Sequence, residues 1–299
     1  MTEDAASAAT ERLKGLAALV GGACVIGLAP ILVRLADTGP AAVGFWRLVF
    51  ALPLLMLMSA RARPVTGQGL SKAALLAGVM FALDLVFWHY GIALTSVANA
   101  TVLANLTPLI VTAIAWVVFR QRPERLFLIA VVVAVAGAWI MAVAKGGAPG
   151  RSPLLGDSLS AATSVWYALY MLSVGWARRD QSATAVMLWS SISAIPVVLI
   201  ASLALGEQFL PASPGGWAAC VGLGVMHVTG QGAIAWALGR LPTSTASVVV
   251  LVQPVVAALF GWVLFAEALG PWQALGGAVA LAGVVLAQWA SRPKPVQAA

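Results

Sequence analysis

An aspartate and a histidine stand five residues apart inside the apolar run ALDLVFWHYGIAL, with a tryptophan between them. Ionisable side chains in such a run are costly in lipid and usually face protein or water, so Asp84 and His89 are candidates for binding or proton exchange. Asp84 and Trp88 are four residues apart and share a helical face. His89 lies about 140° around the helix from Asp84, so both polar groups serve one site only if its cavity is broad. A functional reading gives Asp84 a proton or a substrate amine, His89 a hydrogen bond or a relayed proton, and Trp88 the pocket wall. A structural reading bonds Asp84 to another helix and makes His89 a satisfied core imidazole. Both readings stand at this point.

A second ionisable group, Arg47, sits in GFWRLVF. It keeps its charge and so needs a carboxylate, carbonyls or water. Asp84 is the deep carboxylate of the first half, which makes an Arg47–Asp84 pair the expectation. Locking helices together is the first reading of Arg47, and substrate binding the second.

The stretch TSVANATVLANLTPLIV carries amides and hydroxyls at helical spacing. Thr101, Asn105, Pro108 and Thr112 form one stripe, and Thr95 and Asn99 are placed to cap the helix start. Pro108 lacks an N–H and crowds the carbonyl of Ala104, so it breaks the helix and frees that carbonyl. Lipid would leave the carbonyl unsatisfied, so the stripe must face a cavity or another helix. In the second half Pro254 frees the carbonyl of Val250 in the same way, with Gln253 and Ser247 beside it. The segment GVMHVTGQGAIAW places His227 and Gln231 four apart. Its glycines lack the strand context and spacing of a dinucleotide fingerprint and read as close-approach positions.

These residues must be held by membrane helices. The chain has 299 residues, 61% hydrophobic and only 9% charged, with mean hydropathy +0.96. Soluble domains carry about 25% charged residues. A spanning helix takes roughly 20 apolar residues, and ten fit, near 15–36, 40–60, 72–94, 97–119, 125–144, 157–178, 183–205, 216–238, 243–265 and 271–290. With these spans, 13 of the 17 Lys and Arg fall on one side and three on the other, while Arg47 lies within span 2. The rich side is predicted cytoplasmic, with both termini on it. The net charge of +7 therefore reads as topology and not as nucleic-acid binding. Cys24 and Cys220 lie in apolar runs and read as inert thiols. Residues 1–14 read as a mobile polar tail before a retained first span, and 291–299 as a C-terminal tail.

The chain also repeats itself. At an offset of 146, Pro108 falls on Pro254 and AWVVF (115–119) on GWVLF (261–265). At 143, Trp46 and Pro53 fall on Trp189 and Pro196. The halves, 15–146 and 147–290, hold five spans each. Five is odd, so the second half enters from the opposite side, giving two inverted five-helix repeats in an all-α membrane protein. Leu251 takes the place of Asn105, so the matching wall of the second half is expected to be less polar. Ala130, Ala134 and Ala138, like Gly276 and Ala280, recur every four residues. Spans 5 and 10 are therefore assigned to bracing or to a homodimer contact, away from the substrate.

Two five-span halves carrying TSVANATVLANLTPLIV…FRQRP and PTSTASVVVLVQPVV…FAE, with GDSLSAATSVWYALY opening the second, resemble the EamA type of the drug/metabolite transporter superfamily. The family's first repeat usually ends in a glutamate–arginine pair after span 4. Here Arg120-Gln121-Arg122 stands there, and Glu267 occurs in the second repeat. The resemblance implies secondary transport and makes Trp166 a pocket aromatic. The predicted substrate-binding set is Asp84, Trp88, His89, Asn99, Thr101, Asn105, Trp166, His227, Gln231 and Gln253. The expected function is export of a small polar metabolite, best an amino acid, across the cytoplasmic membrane by alternating access. The alternative is a lipophilic-cation exporter that exchanges protons at Asp84. Partners are a small-molecule substrate and the bilayer. No cofactor, metal or enzyme activity is expected, since His-Glu-x-x-His and Gly-x-Ser-x-Gly are absent from the chain.

Overall fold

The computed structural model describes residues 3–61, 69–95, 100, 103–145, 151–265 and 270–290, with backbone alone at 3–6, 34, 142, 145, 261, 264 and 265. Every regular element among them is helical. Helices α1 (Glu3–Ile26) and α2 (Ala29–Leu35) form span 1, α3 (Pro40–Arg61) span 2 and α4 (Lys72–Leu94) span 3. Span 4 ends in α5 (Thr107–Val117), followed by α6 (Arg125–Lys145), α7 (Pro153–Ala177) and α8 (Ala183–Ala204). Span 8 is α9 (Pro214–Met226), a π-helical turn (His227–Gln231) and α10 (Gly232–Leu238). Span 9 is α11 (Thr243–Val249) with α12 (Val252–Phe265), and α13 (Pro271–Ala290) closes the bundle.

Seven helices among the described residues are long and apolar enough to cross a membrane, and two shorter apolar ones accompany them. The remaining span, α7, has 25 residues but carries five serines and threonines. Ser158, Ser160, Thr163 and Ser164 each donate to a carbonyl one turn back, at 2.6–3.2 Å, so their hydroxyls are satisfied within the helix. Exposed tryptophans form two belts. Trp116, Trp176 and Trp289 ring the arginine-rich end, and Trp139, Trp262 and Trp272 lie toward the other. Amphipathic indoles gather at the two interfaces of a bilayer in this way.

Helices in lipid are held by close packing of small residues and by hydrogen bonds between helices, because the tails are as apolar as leucine. α4 shows both. A β-carbon at Gly78 would strike the Ser190 carbonyl on α8, and one at Gly91 would strike the Ser160 hydroxyl on α7. Ser193 on α8 donates to the Leu75 carbonyl at 2.9 Å. Beyond the helix end, Thr95 donates to Asp157 at 2.7 Å, which fixes it to α7 instead of to the start of span 4. α4 is thus clamped at both ends, with Asp84 between the clamps.

Spans 5 and 10 pack their small faces on each other within one chain. A β-carbon at Gly137 would meet the backbone of Ala280 and Gly276, and one at Gly283 the backbone of Ala134. The bracing half of the expectation accounts for these stripes, which leaves their small residues covered.

The proline pair breaks spans 4 and 9 at equivalent points. Residues 105 and 106 form a turn before α5, and α11 stops at Val249 before α12 begins at Val252. Pro108 occupies the first turn of α5, where its missing N–H costs nothing. The freed carbonyls do not stay open. Thr107 Oγ1 donates to the Ala104 carbonyl at 3.0 Å, and the Gln253 N–H donates to the Val250 carbonyl at 2.9 Å.

Candidate functional site

A cavity of about 290 Å³ lies at these breaks. Arg47, Phe81, Asp84 and Trp88 line it from α3 and α4, and Asn105 and Pro108 from the break in span 4. Gln231, Ser247, Gln253 and Pro254 line it from spans 8 and 9, and Pro30 and Ile31 from α2. The lining runs from the middle of the bundle to Ile92, Met141 and Gln273 near the arginine-poor end.

Local geometry explains who faces in. Asp84 and Trp88, one turn apart, both line the cavity, as their shared face predicts. His89 does not line it. It opens instead on a separate cavity of about 160 Å³ with Val33, Thr38, Pro40, Val43 and Ile92. The phase difference between Asp84 and His89 decided this, because the cavity is not broad enough to take both. Trp166 also stays outside the lining. Its ring packs edge-on against Phe87 at 5.8 Å, and the next residue, Tyr167, faces in.

The π-helical turn separates His227 from Gln231. An inserted residue widens the turn, so i and i+4 no longer superpose as they do in an α-helix. Gln231 reaches the cavity, whereas His227 is 1% exposed and packs as a core residue. His227 Nε2 hydrogen-bonds the Ser191 hydroxyl at 3.1 Å, and its ring lies 5.2 Å from Phe81. Thr112 likewise turns inward on its own helix, donating to the Pro108 carbonyl at 2.7 Å. Asn99 and Thr101 lie outside the described residues, as does Glu267.

Electrostatics differ from the expected pair. Among the described residues Arg47 and Asp84 form no ion pair and no hydrogen bond with each other. The guanidinium sits over the Phe81 ring, 5.4 Å from its centroid, and Nε is buried without a partner. Asn105 Nδ2, Gln231 Oε1 and Gln253 Nε2 are likewise buried and unpartnered on the cavity wall. Buried polar groups are ordinarily satisfied, so four such atoms around one space mark it as a place for polar ligand atoms or water. Because two of them, on Gln231 and Gln253, belong to the second half, that wall is more polar than Leu251 alone implied. Among the described residues no group of three His, Cys, Asp or Glu could hold a metal ion.

Sequence reasoning missed Thr163 and Tyr167, which face the cavity one turn apart on α7. The signal was their i, i+4 spacing inside the serine-rich run of that span. It also placed spans 5 and 10 away from the site, but Ala138, Met141 and Gln273 from these helices form part of the wall. Their small faces pair with each other, and the edges beside those faces turn to the cavity.

A helical bundle of two repeats, with a cavity at paired helix breaks, is the architecture of a membrane carrier. The model of the EamA-like transporter family matches residues 13–143 and 154–289, and the chain belongs to that family. A curated protein of Archaeoglobus fulgidus, described as an uncharacterized transporter, is similar at 25% identity, covering 91% of this chain and 96% of its own. A protein of known crystal structure shares the fold with TM-score 0.77 at 17% identity, over 95% of this chain and 99% of its own.

Proposed function

We propose that this transporter exports a small polar metabolite, an amino acid or close relative, across the cytoplasmic membrane by alternating access. One observation carries the reading: the cavity wall is drawn from both repeats around the two proline breaks and holds unpartnered amide and guanidinium groups beside an acid. Such a wall suits a ligand with several polar atoms and an apolar remainder, since Trp88, Phe81, Ile31 and Leu251 supply apolar surface. The inverted arrangement of the halves, inferred from five spans each, supports near-equivalent packings open to either side.

The cavity lining reaches the arginine-poor end while side chains tie the other end, which supports an outward-facing assignment. At the arginine-rich end, read as cytoplasmic, Arg240 Nε donates to Glu11 at 3.1 Å and Arg12 to the Gln288 carbonyl at 3.1 Å. Arg178 Nε donates to the Ala235 carbonyl at 3.0 Å, and Gln181 to the Gly69 carbonyl at 2.5 Å. These contacts tie spans 1, 8 and 10 and the 177–183 connection together below the cavity.

The test is uptake of labelled amino acids into everted membrane vesicles carrying the protein, with and without an imposed pH gradient. Accumulation above empty vesicles is expected. Equal uptake across the amino-acid panel overturns the reading. The second reading, exchange of a proton for a lipophilic cation, is favoured by Asp84 lying between Phe81 and Trp88 in the lining. It requires Asp84→Asn to abolish resistance to such cations, and unchanged resistance sinks it.

A further inference from the structure

Arg47 is 5% exposed and Asp84 9%, and both line the same cavity from adjacent helices. A buried ion pair is stable only with close geometry and its remaining hydrogen bonds met. Here the guanidinium and the carboxyl face one space with no ion pair between them, and Arg47 Nε is buried without a partner. The guanidinium is held away from the acid by its seat over Phe81, one turn before Asp84 on α4. α4 itself cannot slide toward α3 cheaply, because Gly78 and Gly91 lock it against α8 and α7. The cavity therefore keeps two separated poles.

We infer that Arg47 and Asp84 are a two-pole receptor that selects a zwitterion: Arg47 takes the substrate carboxylate and Asp84 its amine. This rests on the transport reading above and adds the residues that set its specificity. A zwitterion neutralises both buried charges at once. An amine leaves Arg47 without a counter-charge, and an acid leaves Asp84 without one, and an orphaned buried charge costs far more than a lost neutral contact. Gln231, Gln253 and Asn105 supply hydrogen bonds around the charged head. The substrate side chain then lies along Pro30, Ile31, Ile92, Leu251 and Ala257, toward the arginine-poor end. An extra charge on that side chain would meet no partner among these five, so neutral amino acids are the preferred class.

The experiment is counterflow of labelled leucine in proteoliposomes, competed by leucine, by 3-methylbutylamine, which lacks the carboxylate, and by 4-methylpentanoate, which lacks the amine. Leucine is expected to compete at least about tenfold better than either analogue. In Arg47→Gln the amine should approach leucine, and in Asp84→Asn the acid should. The wild-type panel decides the matter by itself if a variant does not fold. Leucine flux with all three competing within about threefold overturns the receptor but leaves amino-acid transport standing. Absence of flux for leucine and for every other neutral amino acid removes both.

Discussion

Thr107 Oγ1 lies 3.0 Å from the Ala104 carbonyl and donates to it, closing the gap that Pro108 opens in span 4. Thr107 is 5% exposed, so water does not readily replace it. Thr107→Val keeps the shape and removes the donor. Hydrogen bonds of this kind within membrane proteins are worth about 0.6 kcal/mol and reach about 1.7, so the expected loss of stability lies in that range. Thr107→Ser should restore most of it. Reversible unfolding in mixed micelles measures both, and an unchanged Thr107→Val variant would mean that the break satisfies itself by another route.

The contact between α6 and α13 depends on the missing side chain at position 137, which faces the backbone of Ala280 and Gly276. Backbone cannot move aside as a flexible side chain can. Gly137→Ala is expected to destabilise by about 1–3 kcal/mol through overpacking, and Gly137→Leu to prevent assembly of the pair. Melting of the purified protein reads the first, and yield of monodisperse protein the second. Tolerance of leucine at 137 would show that these helices do not brace one another in the membrane.

Acid should loosen the arginine-poor end. Asp37 lies between α2 and α3, and its carboxylate accepts the Ala212 N–H at 3.0 Å beside Ser213. The Ser213 side chain first, and the backbone N–H groups after it, hold its pKa below the ordinary 3.8. A lowered folded-state value means that the unfolded chain binds the proton more readily. The contribution is therefore complete above about pH 4 and fades as pH falls through the lowered value. The melting temperature of the wild type should drop on acidification more steeply than that of Asp37→Asn. Parallel pH profiles would count against this anchoring role.

Glu11 and Arg240 join span 1 to the end of span 8 across the arginine-rich end, and Arg240 also lies 3.4 Å over the Trp236 ring. The pair is partly exposed and adds little to stability. Its effect should show in populations. In a chain with Cys24 and Cys220 replaced by alanine, a cysteine placed by Thr245→Cys reports access from that end, because Thr245 is buried in the first turn of α11, close in sequence to Arg240. Glu11→Gln is expected to raise its labelling rate several-fold, with little change in melting. An unaltered rate would show that the pair does not hold this end closed.

Much of this molecule was legible as pattern. Hydropathy located the spans, and the Pro108–Pro254 register located both breaks to within a residue or two. Asp84, Trp88, Asn105, Gln231 and Gln253, conspicuous as side chains in apolar runs, do line the cavity. What failed was rotation about a helix axis. His89 was grouped with Asp84 despite its phase, and His227 with Gln231 through a helical period that the π-turn does not keep. Tyr167 was passed over for Trp166, one residue away, because aromatic content says nothing of which neighbour faces in. The internal pairing of spans 5 and 10 was open for a related reason: a small-residue stripe states that something packs closely, not what.

The satisfied breaks in spans 4 and 9 have a consequence for how such a carrier changes cargo. With the Ala104 and Val250 carbonyls each taken by a nearby donor, the main chain contributes little to recognition at these points. A ligand in this cavity would meet side chains, each encoded by one codon. If these side chains bind the substrate, a lineage can exchange Asn105, Gln231, Gln253 or Tyr167 singly and reach a new one while the helix breaks stay as they are. The scaffold is thereby separated from its chemistry, and divergence in substrate need leave no trace in the fold.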